Sequence, residues 1–245
     1  MSTLSIFAPR RFTRLMLADA MNISRDPMLI FATLMSLAPS IGLYLGHGAI
    51  DSAALTAFGL PHLSSLLIPV ALTIPAFLIG WVTGFLLLED RDEGTLLAVD
   101  VTPVGKAGFL AYRVTVTAIV TAAVTLFGIH LMAPEMDVPT RLLLAALIAS
   151  ESVAATVILP AIARNKVEGL ALTKVTNLIG LVALVPLVPS PIRYVAAVIP
   201  TYWIGELMGL GSGYQLPWGI MVALAVSTHL AAVWLLFRLF QKRAG

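Results

Sequence analysis

Hydrophobic residues run along this chain in long blocks separated by short polar stretches. Six blocks approach or exceed the roughly 20 mostly apolar residues that a membrane-crossing helix needs. They cover 28–47, 63–88, 109–132, 142–163, 171–188 and 217–237. The second is long enough to tilt, or to kink at Pro69 and Pro75. Short stretches of period-2 alternation are absent, which argues against a β-barrel. Lipid offers no partner to an open backbone, so the blocks are predicted to be helices. The expected fold is all-α: a polytopic membrane protein with six transmembrane helices. Residues 1–27 precede a single membrane domain over 28–245, with no internal repeat and no low-complexity linker.

Charged positions orient these helices. Arg10, Arg11, Arg14 and Arg25 precede the first block. Arg91, Lys106 and Arg113 lie between or just inside the second and third. Arg164, Lys166 and Lys174 surround the fourth junction, and Arg238, Lys242 and Arg243 follow the last block. Thirteen of the fifteen basic residues therefore share one side, leaving only Arg141 and Arg193 on the other. The positive-inside rule places both termini in the cytoplasm, and an even number of spans agrees by putting them on one side.

Composition agrees. AVILMFWYC residues make up 59% and charged residues 11%, against about 25% charged in a soluble domain. Mean hydropathy is +0.96. So little polar surface excludes a soluble enzyme, a nucleic-acid binder and a disordered tail. The net charge of +2 reports topology and not a nucleic-acid partner. With no cysteine there is no disulfide, thiolate metal site or cysteine nucleophile.

The N-terminal residues lack the apolar core and small-residue cleavage site of a signal peptide. Ile6, Phe12, Leu15, Met16 and Ile23 instead alternate with Arg and Asp. An amphipathic helix lying in the inner membrane interface is expected, with Arg11, Phe12, Arg14, Arg25 and Asp26 along it. Pro27 suits the first turn of the next helix, where its missing N–H costs nothing.

Five of the thirteen acidic residues fall within twelve positions: Glu89, Asp90, Asp92, Glu93 and Asp100. Leu96, Leu97 and Val99 add a short apolar face, and Thr102-Pro103 stops the helix. The product expected is a short, charged, amphipathic helix just outside the membrane, suited to docking a soluble partner.

This stretch carries a family resemblance. Asp92-Glu93-Gly94-Thr95-Leu96 followed by Thr102-Pro103-Val104 resembles the E-E-G-T-L…T-P-V signature of the type-two class of ABC exporter permeases. Arg25-Asp26-Pro27 resembles that class's R-D-P, and Ile199-Pro200-Thr201-Tyr202-Trp203 its I-P-x-x-W segment. The order of these landmarks matches along essentially the whole chain. Within that class the chain resembles short drug-export permeases, including those for fluoroquinolones. Asp100 departs from the pattern by standing at a usually apolar position, where it is expected to face water.

The resemblance implies a permease subunit of an ATP-driven exporter. Loop 89–108 would carry a coupling helix seated in a nucleotide-binding ATPase subunit, with Glu89, Asp90, Arg91, Asp92, Glu93, Gly94, Thr95, Leu96, Thr102 and Pro103 as its contact residues. The N-terminal helix would act beside it. Segment 189–213, broken by Pro189, Pro191 and Pro200, would form short helices re-entering the outer leaflet. A second permease copy or a paralogue would complete the path, in a bacterial-type plasma membrane. This chain has no G-x-x-x-x-G-K-[ST] phosphate loop, so ATP and Mg are expected in the partner ATPase and no cofactor in this chain.

Polar residues inside the blocks are the remaining signal. Glu151 lies near the middle of the fourth block and His229 at a comparable depth in the sixth. A carboxyl group there is costly and must face the bundle interior. The two are candidates for a substrate path or gate, with Glu206 a third. A pairing of Glu151 with His229 follows from depth alone; hydrogen bonding to a neighbouring helix is the structural alternative. Loop 164–169 is read as a tight turn in which Gly169 permits the bend. Trp203 and Trp218 are expected as outer interfacial anchors and Trp234 as an inner one. The four histidines are scattered, with no metal-binding pair, and there is no G-x-S-x-G elbow. Two other functions fit the pattern: a proton-coupled secondary transporter using Glu151, and a non-transporting anchor for a soluble protein. A polytopic lipid enzyme lacks motifs.

Overall fold

A computed structural model describes residues 9–102, 105–211 and 216–244. All regular structure among them is helical. Five helices are long and apolar enough to cross a membrane, and a bent pair near the N-terminus supplies a sixth if counted as one span.

The chain begins with α1 (Pro9–Arg25). Leu15, Asp19 and Ile23, each four residues apart, are its half-buried positions, while Arg14, Met16 and Met21 face outward. Helix α2 (Pro27–Met35) starts at Pro27. Pro39 cannot donate a backbone hydrogen bond and crowds the preceding turn, so the helix breaks at Ser36–Leu37 and α3 (Ala38–Phe58) leaves at 41°. The first apolar block, read to end at 47, therefore continues helical to Phe58. His47, Asp51 and Ser52 interrupt the apolar run but not the backbone ladder. Gly59, at φ 70°, closes α3 by donating to Ala54 and Leu55 carbonyls. Asp51 then accepts from the backbone N–H of Ser64 at 2.8 Å and caps the next helix from a distance.

Helix α4 (Leu63–Asp92) is the axis of the bundle, and its side chains are buried along most of its length. It runs as one helix through Pro69 and Pro75. Glycines let it approach α7 (Val138–Ile162). A Cβ on Gly80 would stand 2.5 Å from the Ser152 carbonyl oxygen and 2.6 Å from the Ala155 Cβ. One on Gly84 would stand 3.0 Å from Leu159 and from the Thr156 carbonyl. This small-xxx-small spacing brings two backbones together where lipid offers no hydrophobic driving force. The short α5 (Thr95–Asp100) and α6 (Gly105–Met132) follow.

Asp137 caps α7 by accepting from Thr140 N–H at 3.0 Å. Asn165 caps α8 (Lys166–Gly180) by accepting from Glu168 N–H, and Glu168 accepts in return from Arg164 N–H at 2.8 Å. These caps make the 164–169 turn. Gly169 does not supply the bend. It lies within α8, where a Cβ would stand 3.0 Å from Phe85 and Leu88. The backbone continues as a 3-10 helix over Leu181–Leu187 and a second over Pro191–Val198, then α9 (Tyr202–Leu207). The final α10 (Trp218–Ala244) runs past the end expected at 237.

Trp203 is a core residue and not a lipid-facing anchor. It is 2% exposed, stands edge-on to Tyr202 and donates to the Ala197 carbonyl at 2.9 Å. Trp218 and Trp234 are exposed, as anchors must be, with the Arg238 guanidinium 4.3 Å above the Trp234 ring.

Candidate functional site

One end of the bundle gathers charge. Arg113, from α6, is 2% exposed and stacks 4.8 Å above the Phe109 ring. Its Nη2 lies 2.8 Å from Asp90 on α4 and 2.9 Å from Asp19 on α1. One guanidinium thus ties three helices. Burial pushes the Asp19 carboxyl above the usual range, with Arg113 and the Tyr112 hydroxyl pulling the other way.

Two further basic residues extend this joint. Lys166, at the start of α8, stands 3.0 Å from Glu89 and 3.6 Å from Asp26. Arg91 donates to the carbonyls of Pro160 and Ala163 at 3.2 and 3.1 Å and of Arg164 at 2.8 Å. It thereby satisfies acceptors that the end of α7 leaves open.

The acidic run is therefore divided. Glu89, Asp90, Arg91 and Asp92 belong to the last turn of α4, not to a separate short helix, and the first three point back into the bundle. Asp92 and Glu93 remain exposed. Gly94, at φ 73°, makes the turn into α5, a backbone conformation that suits glycine. Thr95 starts that helix, and Thr102 closes onto the Val99 carbonyl at 2.6 Å. Pro103 and the side chains of Leu96, Asp100, Arg11 and Phe12 lie outside the described residues. Arg14 and Arg25 are exposed.

A second feature lies inside the bundle. A cavity of about 250 Å³ opens between α4, α7, α8, α10 and residues 198–201. Phe77, Ile158, Ile179 and Leu236 make most of its wall apolar. Glu151 and His229 meet there with Oε1 and Nε2 3.5 Å apart, 4% and 2% exposed. His229 Nδ1 donates to the Ala225 carbonyl at 2.7 Å.

Glu206 lies elsewhere. It stands 3.3 Å from the buried Arg193 and accepts from the Tyr202 hydroxyl. Arg193 also donates to the Pro186 carbonyl at 2.7 Å. This network pins the segment between α8 and α10, and none of its charged groups lines the cavity.

Residues 19–237 match the family described as fluoroquinolones export permease protein Rv2686c-like. The chain belongs to this family of export permeases. It is 27% identical over 249 residues to the fluoroquinolones export permease protein MT2760 of Mycobacterium tuberculosis (strain CDC 1551 / Oshkosh). The same identity holds to the fluoroquinolones export permease protein Rv2686c of Mycobacterium tuberculosis (strain ATCC 25618 / H37Rv). Each alignment covers 98% of this chain and 97% of the relative. No solved structure matches. The resemblance to type-two ABC exporter permeases seen in the motifs is borne out, and the permease is a multi-pass membrane protein.

The structure brings Glu151 and His229, which depth alone had suggested as a pair, within 3.5 Å; sequence reasoning used Arg113, Lys166 and Arg193 chiefly as markers of side or polarity. Each proves to be bound to carboxylates from another helix or turn. A signal was present: Arg113 stands several residues inside its apolar block, where an isolated charge needs a partner.

Proposed function

We propose that the chain is the membrane-spanning subunit of an ATP-driven exporter that moves fluoroquinolone-like, amphipathic molecules out of the cytoplasm. The family and the names of its relatives support the cargo. The bent pair α2–α3 counts as one of six spans, and both termini lie in the cytoplasm of a bacterial-type plasma membrane. Two permease subunits, identical or paralogous, line the path, and separate nucleotide-binding ATPase subunits supply ATP and Mg. Segment 189–213, of which residues 189–211 are described, re-enters the outer leaflet, and α1 lies in the inner interface.

One observation carries the coupling assignment. The end of α4 is tied to α1, α6, α7 and α8 through Asp90, Glu89 and Arg91, while Asp92 and Glu93 stay exposed beside α5. A push on α5 by an ATPase passes through the Gly94 turn into α4 and from there into the bundle. Loop 89–108 is thus both a docking surface and a lever.

The test is ATP-dependent fluoroquinolone uptake into inverted vesicles that hold the permease and its ATPase. The double variant Asp92→Lys/Glu93→Lys should lose ATPase co-purification and uptake while its elution profile stays that of the wild type. Full uptake by that variant would overturn the coupling assignment.

The buried Glu151–His229 pair also suits a proton-coupled carrier. That reading predicts substrate exchange down a proton gradient by purified permease without any ATPase, and the ABC reading predicts none.

A further inference from the structure

The Glu151–His229 cavity is under-satisfied in a specific way. Neither carboxylate oxygen of Glu151 nor Nε2 of His229 has a hydrogen-bond partner among the described residues. Their own approach, at 3.5 Å, lacks hydrogen-bond geometry. The tautomer of His229 follows from its other nitrogen. The Ala225 carbonyl can only accept, so Nδ1 carries the hydrogen. In the neutral ring Nε2 is then a bare acceptor. With Glu151 ionised, the two turn acceptors toward one another at the wall of an open apolar cavity, where unmet polar groups are expensive; one proton shared between them would still leave the second Glu151 oxygen without a partner among the described residues.

The hydroxyls of Ser150 and Thr176 do not resolve this. Ser150 is turned onto the Leu147 carbonyl, and Thr176 onto Leu172 and Thr173 carbonyls. No Lys or Arg lines the cavity. A donor with more than one N–H and a positive charge would meet both groups at once. An apolar cavity with a few convergent polar groups is the usual form of a small-molecule site.

We infer that this cavity binds a lipophilic amine in its protonated form, with the ammonium N–H groups donated to Glu151 and His229 Nε2 and the hydrocarbon body against Phe77, Ile158, Ile179 and Leu236. Glu151 sets the preference for a cation and His229 orients it. The site deepens the exporter reading by naming the substrate class that the permease holds inside the membrane. Its wall includes residues 198–201, the strand of chain that leads into α9, so an occupied cavity touches the outer segment directly.

The test uses purified full-length permease in phosphatidylcholine nanodiscs, without an ATPase, and empty discs as blank. The probes are 9-aminoacridine, a cation at neutral pH, and acridine, a neutral ring of nearly the same shape. Wild-type permease should bind 9-aminoacridine at least about tenfold more tightly than acridine, as a charged hydrogen bond in an apolar site implies. Glu151→Gln should bring 9-aminoacridine down to the acridine level and leave acridine binding unchanged. Equal affinity for the two probes in the wild type would overturn the proposal even if the variant failed to fold. So would undiminished 9-aminoacridine binding by a Glu151→Gln permease that still binds acridine. ATP-driven export is measured separately, so a permease that exports but shows no amine preference refutes the site and not the exporter reading.

Discussion

Arg113 and Asp90 meet 2.8 Å apart at the charged end of the bundle and close α6 onto α4. Asp19 reaches the same guanidinium nitrogen from α1. The arrangement is an ion triad with one cation and two anions, largely shielded from solvent. Removing the cation leaves two carboxylates facing each other. Arg113→Met should therefore lower stability by about 3–5 kcal/mol, read as the thermal unfolding midpoint in detergent. The triple variant Arg113→Met/Asp19→Asn/Asp90→Asn should recover much of that loss. A single variant as stable as the wild type would show that the triad contributes nothing.

The docking of α1 should depend on pH through Asp19. Burial raises its carboxyl above the ordinary value of 3.8, so the folded arrangement holds a proton more readily than the detached helix does. The contribution is fully present below that ordinary value. It is lost as pH rises through the raised one. The chain has no cysteine, so a single spin label at Met21 can report detachment. Mobility should increase from acid pH upward in the wild type, and Asp19→Asn should flatten that part of the profile.

Close approach of α4 to α7 should fail with a large residue at Gly80. A Cβ there already collides with the Ser152 carbonyl and the Ala155 side chain. Gly80→Leu should cost at least about 1–3 kcal/mol, the usual penalty of overpacking. Loss of a monodisperse peak on size exclusion is the readout. Gly219→Leu is the control, because a Cβ at Gly219 meets nothing.

The turn between α4 and α5 should be sensitive to backbone and not to bulk. Gly94 has φ 73° with open space around it. Gly94→Val should strain the turn by roughly 1–2 kcal/mol, since side chains disfavour left-handed backbone. ATP-dependent uptake should fall further than thermal stability does. Gly94→Asn should retain more activity, because asparagine tolerates this conformation.

Much of the architecture is legible in the chain. The apolar blocks between 63 and 188 fall within the spans of α4, α6, α7 and α8 with its 3-10 continuation to within a few residues at most ends, because transfer into lipid is decided residue by residue along a continuous run. Pro39 explains the break before α3 once the bend is seen, but apolar composition alone reads through it. The helical continuation from His47 to Phe58 was hidden because polar residues end a hydropathy block without ending a hydrogen-bond ladder. The acidic run at 89–93 was visible as a cluster. Its partition into inward and outward members was not, because that depends on the angle at which α4 ends.

The sequence by itself determined that this protein belongs in a membrane, how many apolar segments it offers and which export family it joins. Those properties are local or ordered along one dimension. Only the tertiary structure decided that Arg113 serves Asp19 and Asp90, that Arg91 caps α7, that Arg193 and Glu206 lock each other, and that Glu151 and His229 share a cavity. The physical reason is that a charge in an apolar block must find a partner, but packing chooses which. Helix crossing points set by residues such as Gly80 and Gly84 bring distant side chains within a few ångströms, and no spacing along the chain encodes that meeting.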